Sequence, residues 1–351
     1  GVGGPEMHDY LFDINTVRFA FIVGVLASVL IYERFHITSG SIVVPGYVAV
    51  FVLQPLILLI TLVNALFSYW VVNRVLAKRL LLDGRNKFST IMIISATVQV
   101  VLLKLSPNTP YLWESNIPLL VGVGYLVPAL IAHDFGRQGI KTTLRAVGMS
   151  SALVAVPMTL AIMFFPDAQA GSVLTGFGVL AFAPEWIPMT VLISAAAAWA
   201  LHYNYGFRSA GYVGAAYLAM LTTSPLNLLF LGVTGIAAWL LVTKVFMRTM
   251  IVFGRRKFAL MMVSASVLSW SGVWFATSVL GISIASYESV ATVALTPLFV
   301  PGLIANDLER TSPVMVLLGL IYSVAFVLTT TWVVVTAVTG VYDLSLIHIS
   351  E

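Results

Sequence analysis

The stretch Pro55–Phe88, PLILLITLVNALFSYWVVNRVLAKRLLLDGRNKF, holds the reading that decides the fold. Its first part, 55–76, is an apolar run of the length a bilayer demands, since a hydrocarbon core takes about 20 helical residues to cross. Its second part is a basic loop carrying Arg74, Lys78, Arg79, Arg85 and Lys87. Moved by 170 positions, the same design returns as Pro225–Phe258, PLNLLFLGVTGIAAWLLVTKVFMRTMIVFGRRKF, with Lys244, Arg248, Arg255, Arg256 and Lys257. Asp83–Phe88 and Phe253–Phe258 agree at four of six positions. An apolar span closed by a basic loop, written twice, points to a duplicated membrane protein, because cytoplasmic loops collect Lys and Arg.

The duplication extends in both directions. At the same shift, residues 39–56 overlie 209–226, with Ser39/Ser209, Val43/Val213, Tyr47/Tyr217, Ala49/Ala219, Pro55/Pro225 and Leu56/Leu226 coinciding. At a shift of 173, Pro128–Arg137 (PALIAHDFGR) overlies Pro301–Arg310 (PGLIANDLER) with six of ten positions shared. Agreement among Leu and Val alone means little in so apolar a chain. Agreement at Pro, Asp, Arg, Lys and Gly in one order means duplication. The expected organisation is a membrane repeat over 7–168, a second over 169–340, and a non-native tail at 341–351, where LSLIHISE reads like a translated sequencing adapter. Met7 reads as the start, and no basic stretch of the kind that opens a signal peptide precedes the first apolar run near Val17.

Composition narrows the function classes. Of 351 residues, 60% are hydrophobic and 9% charged, against about 25% charged in a soluble domain. The 18 Lys and Arg and 14 Asp and Glu cannot cover a 37.9 kDa globule, and the mean hydropathy is +1.00. Lipid must be the solvent for most of the surface. A soluble enzyme, a nucleic-acid-binding domain and a disordered chain are excluded. The net charge of +4 reads as orientation signals in short loops, not as a nucleic-acid site. The absence of cysteine excludes disulfides, thiol catalysis and thiolate metal sites.

Apolar segments fall at roughly 15–32, 41–53, 55–76, 89–105, 117–132 and 142–165, then at 187–202, 210–223, 225–246, 259–281, 290–305 and 313–339. The fold class expected is all-α and polytopic, with about 10–12 transmembrane or re-entrant helices in two parallel repeats. Both basic loops belong on the cytoplasmic side, which requires an even number of crossings per repeat. The segments 41–53, 117–132, 210–223 and 290–305 are short, and Pro45-Gly46, Pro128 and Pro301-Gly302 interrupt or bound three of them. They either cross or turn back. If 41–53 and 210–223 turn back, Arg34 and Arg208 move outside.

These residues resemble a known family. Glu33-Arg34 followed by Ile37–Tyr47 (ITSGSIVVPGY), the GR-x-KF loops, and the VP-x-LIA-x-D-x-x-R segments Val127–Arg137 and Val300–Arg310 are similar to the signature of the poly-γ-glutamate synthesis membrane subunits PgsC/CapC. This chain resembles two such subunits in tandem over nearly all of 17–340. Repeat 2 departs at Ala215-Ala216, in place of Pro-Gly, and at Tyr203-Asn204, in place of Glu-Arg; repeat 1 departs at Ala129, in place of Gly. The resemblance implies a non-catalytic multi-pass subunit of the bacterial inner membrane. Such a subunit anchors a cytoplasmic ATP-dependent amide ligase, works with further membrane-anchored subunits and helps export an anionic polymer.

The residues themselves are consistent with a non-enzyme. No GxxxxGK[ST] loop, GxSxG elbow or HExxH pair is present, and the five histidines lack ligand spacing, so no catalytic residue, metal or cofactor is expected. Three constellations remain. Arg85, Lys87, Arg255, Arg256 and Lys257 suit ligase docking or polymer entry, because carboxylates need compensating charge near low dielectric; their bland reading is topology and lipid headgroups. Asp134/Arg137 and Asp307/Arg310, three apart, share a helix face and read first as local salt bridges, second as a gate or partner site. Pro45-Gly46, Pro128 and Pro301-Gly302 are helix breaks, either for packing or as places where a polar chain meets backbone. Glu33 and Arg34 sit at a span edge as orientation or partner residues. Two other classes stay open: a secondary transporter for a small anionic solute, and a scaffold with a sealed interior.

Overall fold

A computed structural model describes residues 14–52, 55–79, 84–105, 126–164, 181–182, 186–279 and 296–339. Met7, the boundary at 168–169 and the tail 341–351 lie outside the described residues. The chain divides into two compact units, Gly1–Leu174 and Thr175–Glu351. Unit 1 contains α1 (Ile14–Phe35), α2 (Val44–Val50), α3 (Pro55–Trp70, running into a π-helical turn Val71–Leu76), α4 (Gly84–Leu105), α5 (Val127–Gln138) and α6 (Ile140–Phe164). Unit 2 repeats the order as α7 (Ile187–Tyr205), α8 (Gly214–Met220), α9 (Pro225–Leu240, running into a π-helical turn Leu241–Phe246), α10 (Gly254–Ser278), α11 (Thr296–Arg310) and α12 (Pro313–Thr339). The all-α polytopic expectation holds. Among the described residues, five helical stretches are long and apolar enough to cross a bilayer: Ile57–Leu76, Ile140–Leu160, Pro225–Thr249, Gly254–Ala276 and Pro313–Val338.

The surface is built for lipid. On α3, Leu59, Val63, Phe67 and Trp70 form one exposed stripe, while Thr61, Asn64, Ala65 and Ser68 are buried. Hydrocarbon solvates Leu as well as a protein core does, so small and polar residues turn inward to pack and pair. Within unit 1, α1, α2 and α6 pack together, as do α3, α4 and α5, and α5 touches α2 and α6. Unit 2 repeats this pattern with α7, α8 and α12, with α9, α10 and α11, and with α11 against α8 and α12.

The short segments 41–53 and 210–223 each hold a half-helix after an irregular stretch. α2 and α8 each have 7 residues, a rise of about 10 Å against a core of about 30 Å. After α1 the chain doubles back along it. Ser39 Oγ lies 2.8 Å from Ser28 Oγ. Farther on, Gly46 lies against Ala20 and Phe21 near the start of α1. Residues 36–52 therefore retrace α1 as an extended loop followed by a half-helix. In unit 2, Ser194 Oγ donates to the Tyr212 carbonyl at 2.9 Å and accepts from the Ala216 N–H at 3.2 Å, so 206–216 runs back along α7 in the same way.

The prolines act locally. Pro45 and Pro128 stand in the first turn of α2 and α5, where the missing N–H has no intrahelical partner to lose. Pro301 lies inside α11. The glycines serve close packing. A Cβ on Gly24 would come 2.6 Å from the Gly46 nitrogen, and one on Gly302 would come 3.1 Å from Met262 Cα. The backbone approach expected at Pro45-Gly46 and Gly302 is thus filled by α1 and α10. The two π-helical turns occupy the same place in both copies, just before the basic loops, and nothing in the sequence reading anticipated them.

Candidate functional site

A loop at bilayer depth must have its backbone paired, because each unpaired group in hydrocarbon costs several kcal/mol. In unit 1 this task falls to α5. The buried Asp134 carboxylate accepts the Gly40 N–H at 2.9 Å and the Thr38 hydroxyl. Gln138 accepts the Thr38 N–H at 2.9 Å, donates to the Thr38 carbonyl at 2.5 Å and reaches Thr143 Oγ1 at 3.1 Å. Gly40 takes a φ of +80° to present its N–H, and a Cβ there would press on Val44 and Ile131 at 3.1 Å.

Unit 2 keeps the carboxylate and changes its partners. Asp307 accepts the Ala210 N–H at 3.0 Å, and Arg208 Nη1 lies 3.4 Å from its other oxygen. Ala210 holds a φ of +54°, a left-handed conformation that costs a non-glycine residue about 1 kcal/mol and persists here because Asp307 fixes its N–H. Position 138 becomes Thr311, whose hydroxyl bonds its own helix at the Asp307 carbonyl, 2.9 Å away. Arg208 stands at the position of Thr38, and its guanidinium takes the place of the Thr38 hydroxyl at the aspartate.

Of the Asp-x-x-Arg pairs expected as local salt bridges, Asp134–Arg137 forms one at 3.8 Å, and Asp307 turns instead to Arg208. Asp134 and Arg137 share a face, and the 61% exposed guanidinium reaches the carboxylate at 3.8 Å, farther than the loop donors. Asp307 pairs with Arg208, ninety-nine residues away in sequence, and Arg310 is exposed. The aspartates tie helix to loop more than they close helix ends. Thr38, Gly40, Gln138, Arg208, Ala210 and Ser194 escaped the sequence reading as site residues. The available signal was a recurring Asp in an apolar segment together with the recurring Ser39/Ser209 loop.

The basic candidates separate by unit. Arg85 is exposed and Lys87 half-exposed at the start of α4, just after Gly84. Arg256 is exposed and Arg255 half-buried at the start of α10. Lys257 is engaged, since its Nζ lies 2.5 Å from Glu309 Oε1 on α11. Unit 1 has Gly136 where unit 2 has Glu309, so Lys87 lacks the corresponding carboxylate. Glu33 is half-exposed, and Arg34 is exposed with its guanidinium 5.9 Å from the centre of the Phe35 ring.

The interiors differ too. Unit 1 has a polar seam in which Tyr47 Oη meets Thr61 Oγ1 at 3.4 Å, Ser68 donates to Asn64 at 3.1 Å and Asn64 donates to the Ser95 carbonyl at 3.2 Å. The positions matching Thr61, Asn64 and Ser68 are Leu231, Thr234 and Ala238, and there Ala238 packs with Val242, Met261, Ala265 and Ala305. Among the described residues no group of three or more His, Asp or Glu is placed to hold a metal.

Comparison with known proteins finds the duplication again. The model of the family described as capsule biosynthesis CapC matches residues 23–144 and 198–317. The chain is similar to the PGA biosynthesis protein CapC of Bacillus subtilis strain 168, with 34% identity over 145 residues, or 41% of this chain and 91% of the relative. It is similar to the capsule biosynthesis protein CapC of Bacillus anthracis, with 31% identity over 125 residues, or 36% of this chain and 81% of the relative. No solved structure gives a significant match.

Proposed function

The chain belongs to the CapC family of capsule biosynthesis proteins, matched once in each repeat, and from that premise we propose that it is a membrane subunit of a poly-γ-glutamate, or related anionic polyamino-acid, synthesis and export assembly. In this reading the chain makes no bond itself. It anchors a cytoplasmic ATP-dependent amide ligase, sits with further membrane-anchored subunits in the bacterial inner membrane, and passes the polymer outward. The family match over both repeats carries the proposal, supported by relatives named for PGA and capsule biosynthesis.

The basic ends of the units take the cytoplasmic role. Arg85, Lys87, Arg255 and Arg256 lie in the first turn of α4 or α10, the positive end of a helix dipole, where cations are destabilising for the helix. Their placement there favours an anionic partner over helix stability. Replacing Arg85, Lys87, Arg255 and Arg256 with Gln should lower both the ligase co-purifying with the full chain and the polymer made by intact cells. Unchanged values of both end this assignment.

The broken spans favour a second reading. Half-helices buried between full helices are the construction used by secondary transporters. A transporter for a small anionic solute would load that solute into vesicles with no ligase present, which the first reading does not allow.

A further inference from the structure

Unit 1 carries a second group of cations, apart from its basic loop. Arg34 is in the last turn of α1, Arg137 in the last turn of α5, and Lys141 and Arg145 in the first two turns of α6. All four are exposed. Gly139, with a φ of +88°, turns the chain between α5 and α6. Gln138, at that corner, is bonded to both backbone groups of Thr38 and to Thr143. The corner therefore abuts the loop that follows α1, and α1 packs on α6. Lys141 and Arg145 stand four apart on one helix face, at the helix end where cations are unfavourable. The group borders the mouth of the broken span 36–52.

The second copy does without it. At the matching positions unit 2 has Asn204, Val314 and Leu318, and of the four cations only Arg137 returns, as Arg310. Unit 2 has also neutralised neighbours, with Lys257 on Glu309 and Arg208 on Asp307. Among the described residues, eight Lys and Arg are exposed in unit 1 and four in unit 2. Orientation by positive residues is a need of both copies, as is contact with anionic lipid headgroups. Neither need explains three cations kept in one copy and absent from the other. A ligand met by one unit does.

We propose that Arg34, Arg137, Lys141 and Arg145 of unit 1 form a binding site for the carboxylates of the polyanionic chain, where it meets the broken span 36–52. This rests on the reading of the protein as a polymer-handling subunit. A guanidinium forks onto a carboxylate, and a polymer with one carboxylate per residue meets several cations at once.

The test uses the full chain in nanodiscs of zwitterionic lipid and a fluorescent oligo-γ-glutamate as probe. Lys141→Gln with Arg145→Gln should weaken binding about ten-fold, the size of two partly screened charge contacts. Lys244→Gln with Arg248→Gln, which removes the same charge from unit 2, should weaken it far less. Lys141→Arg with Arg145→Lys should keep binding, which separates charge from folding. Equal loss in the two Gln pairs would mean bulk attraction and overturn the proposal. So would unchanged polymer binding accompanied by lost ligase, or by lost retention of anionic lipid in nanodiscs that contain it. If the wild-type chain bound no oligomer while still retaining the ligase, this site would fall and the assembly reading would stand.

Discussion

Asp134 and Asp307 each hold a non-helical loop inside a lipid-embedded body, and their side chains do so with different partners. Asp134 is 4% exposed and Asp307 5%, so each carboxylate has given up water and depends on the bonds it accepts. Removing Asp307 leaves the Arg208 guanidinium without its countercharge, and its Nε is already buried without a hydrogen-bond partner. Asp307→Ala should therefore cost about 3 kcal/mol, the lower end for breaking a buried ion pair. Adding Arg208→Ala should recover part of it. Asp134→Ala leaves the Thr38 hydroxyl and Gly40 N–H unpaired, about 1–3 kcal/mol for each group that water cannot reach. Thermal unfolding of the purified chain in detergent measures all three. If Asp307→Ala unfolds with the wild-type midpoint, the loop is not held by this carboxylate.

At the scale of the element, α1 and α2 approach through glycine. Gly24 and Gly46 face each other so closely that a Cβ on Gly46 would come 2.9 Å from Phe21 Cα. Helix backbone cannot give way as a flexible side chain can. Gly46→Ala should cost about 1–3 kcal/mol, as overpacking does. Gly148 in α6 is the control, since nothing lies within 4 Å of its added Cβ. Gly148→Ala should stabilise by about 0.5–1 kcal/mol through helix propensity alone, and opposite shifts of the two unfolding midpoints check the pair. Much of this was legible beforehand. The 41–53 and 210–223 segments were short and the Pro45-Gly46 break was plain. Their course was not, because hydropathy reports depth preference and says nothing of which neighbour a chain follows. The Asp134–loop contact joins residues about a hundred apart, so no local spacing could reveal it. Asp134 and Arg137, three apart, gave away only the local ion pair, which forms at 3.8 Å beside the loop contacts.

For the whole molecule, the inward polar and outward apolar arrangement follows from composition, because a chain with 9% charged residues has little to offer water. The duplication was equally open, since Pro, Asp, Arg and Gly recur at fixed shifts. The divergence between copies was harder to weigh: Glu309 against Gly136 is one substitution in sequence, and only the 2.5 Å contact with Lys257 gives it meaning. Sidedness is the property that ties these facts to function, and the absence of cysteine makes it directly measurable. Arg34, Val52, Arg79 and Arg248 are exposed. Arg34 ends α1, Val52 follows α2, and Arg79 and Arg248 lie beyond the π-helical turns of their units. If 36–52 crosses the bilayer beside α1, single cysteines at 34 and 52 must react from opposite sides. Those at 34, 79 and 248 must react from one side, the cytoplasmic one by the positive-residue rule. An impermeant maleimide applied to intact cells should label Val52→Cys, and Arg34→Cys, Arg79→Cys and Arg248→Cys only after the membrane is opened. Labelling of 34 and 52 from the same side would make the half-helix a re-entrant hairpin and would put the cationic corner on the side opposite Arg79.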